Sequence, residues 1–116
     1  MFNDAPMTFE LKEGRTPETR IFRLAGPLTL RNMFEFQTAL RIEPQPPTTV
    51  LDLTGVPYMD SAGMGLIVNF YVHCQGKGVN VVVAGVSDRV MELFRLTKVD
   101  TVIPFEATYN QEEFGE

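Results

Sequence analysis

The sequence has almost none of the residues that build disulfides or soft-metal centres. Of its 116 residues one is cysteine, Cys74, one is histidine, His73, and none is tryptophan. A disulfide framework is therefore excluded, and no group of Cys and His has metal-ligand spacing. A single thiol suits a reducing compartment. Because His73 and Cys74 sit together in an apolar segment, we expect them to pack in a helix and not to bind a metal.

The sequence is also short of positive charge. Ten Lys and Arg stand against fifteen Asp and Glu, a net charge of -5. This excess repels nucleic acid and anionic membranes, so we expect neither as a partner. No stretch approaches the ~18 apolar residues of a membrane span. The first ten residues, MFNDAPMTFE, lack the basic and apolar segments of a secretory signal. We therefore expect a cytoplasmic protein.

The length and the 44% hydrophobic content fit one globular domain over residues 1–116. We place its core at about 7–105 and a short acidic tail at 106–116. Alternating apolar residues predict a β-hairpin at the start, and unbroken apolar runs such as NVVVA predict strands buried on both faces. The predicted strands cover residues 7–12, 21–25, 48–53, 80–84 and 101–105.

Three helices are predicted, at residues 29–42, 61–75 and 87–96. Thr29 and Ser87 are suited to cap the first and third helices, and Gly76 to end the second. The strand, helix and strand between residues 48 and 84 predict a right-handed βαβ unit. Four apolar residues of the first helix have helical spacing: Leu30, Met33, Phe34 and Leu40. After residue 105, Thr108 and Gln111 have capping-box spacing for a last helix of about two turns.

The segment YMDSAGMG, residues 58–65, opens the second helix with an unusual set of residues. Asp60 or Ser61 can cap the helix, which is the simplest interpretation. Gly63 and Gly65, however, each cost about 1 kcal/mol relative to Ala inside a helix. Two glycines in the first turns of a helix therefore indicate that another group approaches the helix backbone closely there.

Two enzymatic interpretations of this segment fail. A hydrolase G-x-S-x-G turn would need glycine where Met59 stands, and His73 lies about 18 Å further along the helix at ~1.5 Å per residue. A phosphate-binding loop would need a following Gly-Lys-Ser/Thr, which is missing. We therefore do not expect an enzyme. A serine that is itself phosphorylated remains, because ~1.5 to 2 added negative charges would disfavour a closely packed partner. Such a site would act as an off-switch for binding.

Residues 50–65 (VLDLTGVPYMDSAGMG) and 79–105 (VNVVVAGVSDRVMELFRLTKVDTVIPF) resemble the STAS domain, named for sulphate transporters and anti-sigma-factor antagonists. The string MDSAGMG at 59–65 is similar to the signature of the stand-alone bacterial antagonists. The resemblance implies an α/β fold with a single STAS-like domain. Its sheet would be about five-stranded and mostly parallel, with an N-terminal antiparallel hairpin and with helices mainly on one face.

The resemblance also implies a function. Ser61 would be phosphorylated by an anti-sigma factor that is a serine kinase, and a phosphoserine phosphatase would reverse the modification. The unmodified chain would bind the anti-sigma factor and so control sigma-factor-dependent transcription. ATP would be bound by the kinase, and the chain itself would need no cofactor. The implied partner-binding residues are Thr29, Met59, Asp60, Ser61, Ala62, Gly63, Met64, Gly65 and Ser87.

One departure from the family pattern keeps a second function open. The family usually has Asp where this chain has Thr29, so a charge pair with a basic partner residue is lost. The alternative is a non-catalytic STAS adaptor subunit of a transport or stress-signalling complex, in which Ser61 need not carry phosphate. A homodimer is compatible with either function.

Overall fold

A five-stranded sheet organises the part of the chain that this computed structural model describes, residues 7–13 and 18–106. The strands lie side by side in chain order, the first pair antiparallel and the others parallel. They are β1 (Thr8–Glu13), β2 (Thr19–Ala25), β3 (Thr48–Gly55), β4 (Asn80–Ala84) and β5 (Phe105–Glu106). The predicted α/β class, the N-terminal hairpin and the mostly parallel sheet are confirmed.

Three helices connect the parallel strands: α1 (Phe34–Leu40), α2 (Ser61–Gly76) and α3 (Asp88–Leu96). A 3₁₀ turn, Val99–Thr101, follows α3. All three helices bury residues in the same large hydrophobic core. On the opposite face of the sheet a small separate cluster contains only strand residues, Ile21, Val50 and Ala84, with Val82 packed against it. The helices thus cover one face, as predicted.

The main core forms because alternate residues of each strand point toward the helices. In β2, Phe22 and Leu24 face this core, whereas Ile21 belongs to the opposite face. Three aromatic rings connect β1, β2 and α1. Phe36 meets Phe22 nearly edge-on at 5.5 Å between ring centroids, and Phe9 lies 5.6 Å from Phe36. These contacts fix α1 against the hairpin.

The first helix is shorter than predicted. It begins at Phe34, and Met33 at its N-cap makes no side-chain capping bond, so the predicted start and cap at Thr29 are wrong. Instead, the Thr29 N–H donates to Asn32 Oδ1 at 2.8 Å, and the Asn32 N–H donates to the Thr29 carbonyl at 3.1 Å. This turn replaces the helical bonds because an asparagine side chain competes well for nearby backbone groups. Leu30 in this turn is 55% exposed, and Phe34 at the start of α1 is 62% exposed.

The last strand also differs from the prediction of 101–105. Residues 99–101 form the 3₁₀ turn, and only Phe105 and Glu106 pair with β4. Pro104, which lacks an N–H donor, precedes this short strand. Ile103 is fully buried while Val102 is half exposed. Apolar residues in this order are also typical of a strand, which is why the sequence predicted one here. The predicted helix at Thr108 and most of the predicted turn after β1 lie outside the described residues.

The end of α2 carries two smaller corrections. Gly76 is the last helical residue and Lys77 follows as the cap, while Gly78, at φ 73°, takes the left-handed conformation. Cys74 is buried as expected, and this burial raises the pKa of its thiol, with nearby Lys77 acting in the opposite direction. His73, however, is exposed on the helix surface, so its predicted role in packing is wrong.

No helix of residues 7–13 and 18–106 is both long and apolar enough to cross a bilayer.

The aromatic contacts of Phe36 predict a large loss of stability on truncation. Phe36→Ala should lower the free energy of unfolding by about 3–5 kcal/mol, because it removes a fully buried ring. Phe34→Ala on the same helix is the matched control and should change it by less than about 0.5 kcal/mol. Urea denaturation measures both values. Similar losses for the two variants would contradict the assigned orientation of α1.

Candidate docking site at the start of the second helix

The Asp60 carboxylate joins two segments of the chain at the start of α2. Its Oδ1 accepts from the Gly63 N–H at 2.9 Å, which caps the helix as predicted. Its Oδ2 accepts from the Leu30 N–H at 3.1 Å, in the connection between β2 and α1. One side chain therefore fixes both the first turn of α2 and the neighbouring loop.

Backbone hydrogen bonds hold these two loops together along their length. The Leu28 N–H donates to the Tyr58 carbonyl at 3.2 Å, and the Asp60 N–H donates back to the Leu28 carbonyl at 3.3 Å. Leu28 and Met59 form a parallel bridge, and both side chains are buried in the core. The two loops thus prolong the pairing of β2 with β3 up to the helix start.

The two glycines of the segment have different surroundings. A Cβ on Gly63 would lie 2.2 Å from the Leu28 carbonyl oxygen, so this glycine allows α2 to approach the loop. A Cβ on Gly65 would meet no atom of residues 7–13 and 18–106 within 4 Å. At Gly63 the group that approaches the helix backbone closely is therefore the Leu28 carbonyl of the same chain. At Gly65 no described residue approaches the backbone in this way.

Ser61 is the first residue of α2, and its side chain is exposed. Ala62, Met64 and Gly65 around it are half-buried, so the surface beside the hydroxyl is made of small or flexible side chains. Among the described residues no group of three His, Cys, Asp or Glu is arranged to hold a metal ion. His73 lies in the last turn of α2, at the opposite end of the helix from Ser61, as its distance along the sequence predicted. The arrangement can present a hydroxyl to another protein.

The third helix contacts this surface at two points. The Arg89 guanidinium lies 5.1 Å from the centre of the Tyr58 ring, a cation–π contact. The Thr97 hydroxyl lies 3.3 Å from the Met64 sulfur. Ser87 caps α3 by accepting from the Val90 N–H at 3.2 Å, as predicted.

The structure brings most of the sequence-predicted site residues together. The segment from Met59 to Gly65 and the turn containing Thr29 meet through Asp60 and the paired loops. Within this group Met59 and Gly63 are buried, whereas Asp60 and Ser61 are exposed. Ser87 belongs to a different element, where its hydroxyl serves the helix cap.

Sequence reasoning missed the parts played by Leu30 and Arg89. Leu30 contributes its backbone N–H to Asp60, which no side-chain pattern reveals. Arg89 reaches Tyr58 across 31 positions of sequence, and only the fold sets that distance. The helical spacing of Leu30 instead predicted a place in the first helix, which begins only at Phe34.

Comparison with known proteins agrees with this architecture. A model of the STAS domain matches residues 12–112. A Listeria monocytogenes protein named anti-sigma-B factor antagonist is 32% identical over 99 residues, which cover 84% of this chain and 86% of the relative.

Solved structures share the fold at lower identity. An anti-sigma factor antagonist from Mycobacterium paratuberculosis has a TM-score of 0.80 and 18% identity, covering 93% of this chain and 92% of the other. The Bacillus cell fate determinant SpoIIAA in its phosphorylated form has a TM-score of 0.71 and 19% identity, covering 91% and 95%. These likenesses confirm the arrangement of the sheet and helices.

The unequal surroundings of the two glycines lead to opposite predictions. Gly63→Ala should destabilise the fold by about 1–3 kcal/mol or more, because its methyl group would overlap the Leu28 carbonyl. Gly65→Ala should be neutral or stabilise the fold by up to ~1 kcal/mol, since it meets no atom and favours the helix. Thermal unfolding compares the two. A Gly63→Ala variant as stable as Gly65→Ala would contradict the close approach of α2 to the loop.

Proposed function

The chain belongs to the STAS domain family, and from this membership we propose that it is an anti-sigma-factor antagonist switched by phosphorylation of Ser61. Unmodified, it binds an anti-sigma factor that is a serine kinase, and phosphorylation releases it. The observation that carries the proposal is the exposed Ser61 hydroxyl at the first residue of a helix whose start is fixed by Asp60.

The switch is electrostatic in this proposal. A phosphate would add about 1.5 to 2 negative charges directly beside Asp60, on a surface otherwise formed by Ala62, Met64 and Gly65. Burying that charge against a partner costs several kcal/mol unless the partner supplies a cation. The Asp60 carboxylate already accepts hydrogen bonds from the Gly63 and Leu30 N–H groups. The backbone around Ser61 is therefore held in place and need not rearrange when the charge changes.

The remaining roles follow from the same proposal. ATP is bound by the kinase partner, a phosphoserine phosphatase restores the free hydroxyl, and the chain acts without catalysis of its own. It would act in the cytoplasm, where sigma factors control transcription. The name of the Listeria relative supports the antagonist role. Thr29, uncharged and half-buried, would contact the partner through its hydroxyl or methyl group and not through an ion pair.

Binding tests the switch directly. Wild type and Ser61→Ala should capture the anti-sigma factor kinase of the same organism, whereas Ser61→Asp should bind at least tenfold more weakly, because the added charge is desolvated at the interface. Isothermal titration calorimetry in the presence of ADP measures the three affinities. Equal binding by all three variants would contradict the switch and favour a passive adaptor.

Phosphorylation can be assigned without ambiguity because the chain has only two serines, Ser61 and Ser87. With the kinase and ATP, wild type and Ser87→Ala should each gain one phosphate by intact-mass spectrometry, and Ser61→Ala should gain none. Ser87→Ala is the matched control, and it should cost only about 1 kcal/mol of stability through the lost cap of α3. Phosphate on Ser61→Ala, or none on wild type, would overturn the proposed modification site.

A further inference from the structure

A groove runs between α1 and α2 beside the proposed docking site. It consists of two adjoining cavities of about 280 and 230 Å³ that share Leu40, Arg41 and Phe70 in their walls. We call it the α1–α2 groove. Two of its lining residues, Ala62 and Gly65, come from the first turns of α2, so the groove opens next to Ser61.

The two ends of the groove differ in chemistry. The end near Ser61 is lined mainly by apolar residues such as Met33 and Leu66, with Gln37 and Asn69 as its own polar residues and Arg41 shared with the far end. The far end is lined by Arg41, His73 and Lys77 together with a single carboxylate, Glu43. Such a surface is complementary to a segment with apolar side chains followed by acidic ones.

The charge at the far end of the groove is opposite in sign to the net charge of the chain. The protein as a whole carries a net charge of -5, but here two permanent cations oppose one carboxylate. Both Arg41 and Lys77 are exposed, and neither forms an ion pair within residues 7–13 and 18–106. Within this described part of the chain they are available to pair with carboxylates of a partner.

Gly65 provides an independent argument for an occupant. A glycine inside a helix costs about 1 kcal/mol relative to alanine, and no contact with the described residues requires one at this position. A side chain there would project into the groove, which Gly65 lines. The glycine keeps the groove open at its Ser61 end.

We propose that the α1–α2 groove receives an acidic segment of the anti-sigma factor with apolar anchors, a claim that rests on the function proposed above. The apolar anchors fill the end formed by Met33, Ala62 and Gly65, and the carboxylates pair with Arg41 and Lys77. Phosphate on Ser61 would then stand beside the mouth of a groove that holds an acidic segment. Like-charge repulsion adds to the desolvation cost and strengthens the switch.

Filling the groove tests this proposal. Gly65→Leu should weaken binding of the anti-sigma factor kinase by about tenfold or more, because the new side chain takes the place of a partner anchor. Gly76→Leu is the matched control: it lies on the same helix, outside the groove, and its Cβ also meets no atom within 4 Å. Calorimetric titration measures the affinities and thermal unfolding verifies the fold. If Gly65→Leu does not fold, Asn69→Phe fills the groove from an exposed position.

Charge reversal tests the acidic character of the occupant. Arg41→Glu should weaken binding by about tenfold at low salt, and the loss should shrink as salt screens the charges. Arg95→Glu is the control, since it too is exposed at the end of a helix but lies outside the groove, and it should bind like wild type.

The outcomes separate the two proposals. Failure of the wild-type chain to bind the kinase would overturn the proposed function itself. Wild-type affinity in the folded Gly65→Leu or Asn69→Phe variant would overturn docking in the groove and leave the antagonist function standing. Equal effects of Arg41→Glu and Arg95→Glu would overturn the assignment of an acidic segment.

Discussion

The two hydrogen bonds accepted by the Asp60 carboxylate hold the start of α2 and the neighbouring loop in place. One caps α2 through the Gly63 N–H, and the other fixes the Leu30 N–H of the neighbouring loop. Both loops leave the carboxyl ends of adjacent parallel strands, β2 and β3, so they emerge at the same edge of the sheet. By bonding to both loops, the Asp60 carboxylate holds them in one fixed arrangement.

This constraint is compatible with the proposed switch at Ser61. The Leu28 backbone pairs with the loop before α2, and Gly63 lets the helix approach that backbone closely. Ser61 therefore begins the helix from a fixed position and exposes its hydroxyl. A partner would meet the same backbone in both forms of the chain, while the charge would differ. Regulation in that case requires no change of fold.

Much of the architecture could be read from local pattern. Alternation in β1 and β2, the apolar run of β4 and the caps at Asp60 and Ser87 all lie where the sequence predicts them. The predicted bounds of α1 and β5 were wrong because neighbouring residues there favour different structures. Asn32 forms a turn that displaces the start of α1, and apolar residues before β5 imitate a strand around a 3₁₀ turn. Leu30 and Phe34 share the helical spacing of Met33 and Leu40, yet both are largely exposed.

The sequence by itself determined the α/β class, the order of the elements and the position of a serine at a helix start, because these depend on periodicity and capping between residues close in the chain. It could not distinguish Gly63 from Gly65, since both look the same in a helix. Only the tertiary structure decided that one glycine admits the Leu28 carbonyl and the other faces a groove. That groove is formed by α1 and α2, and its shape and charge depend on how distant segments pack against a common sheet.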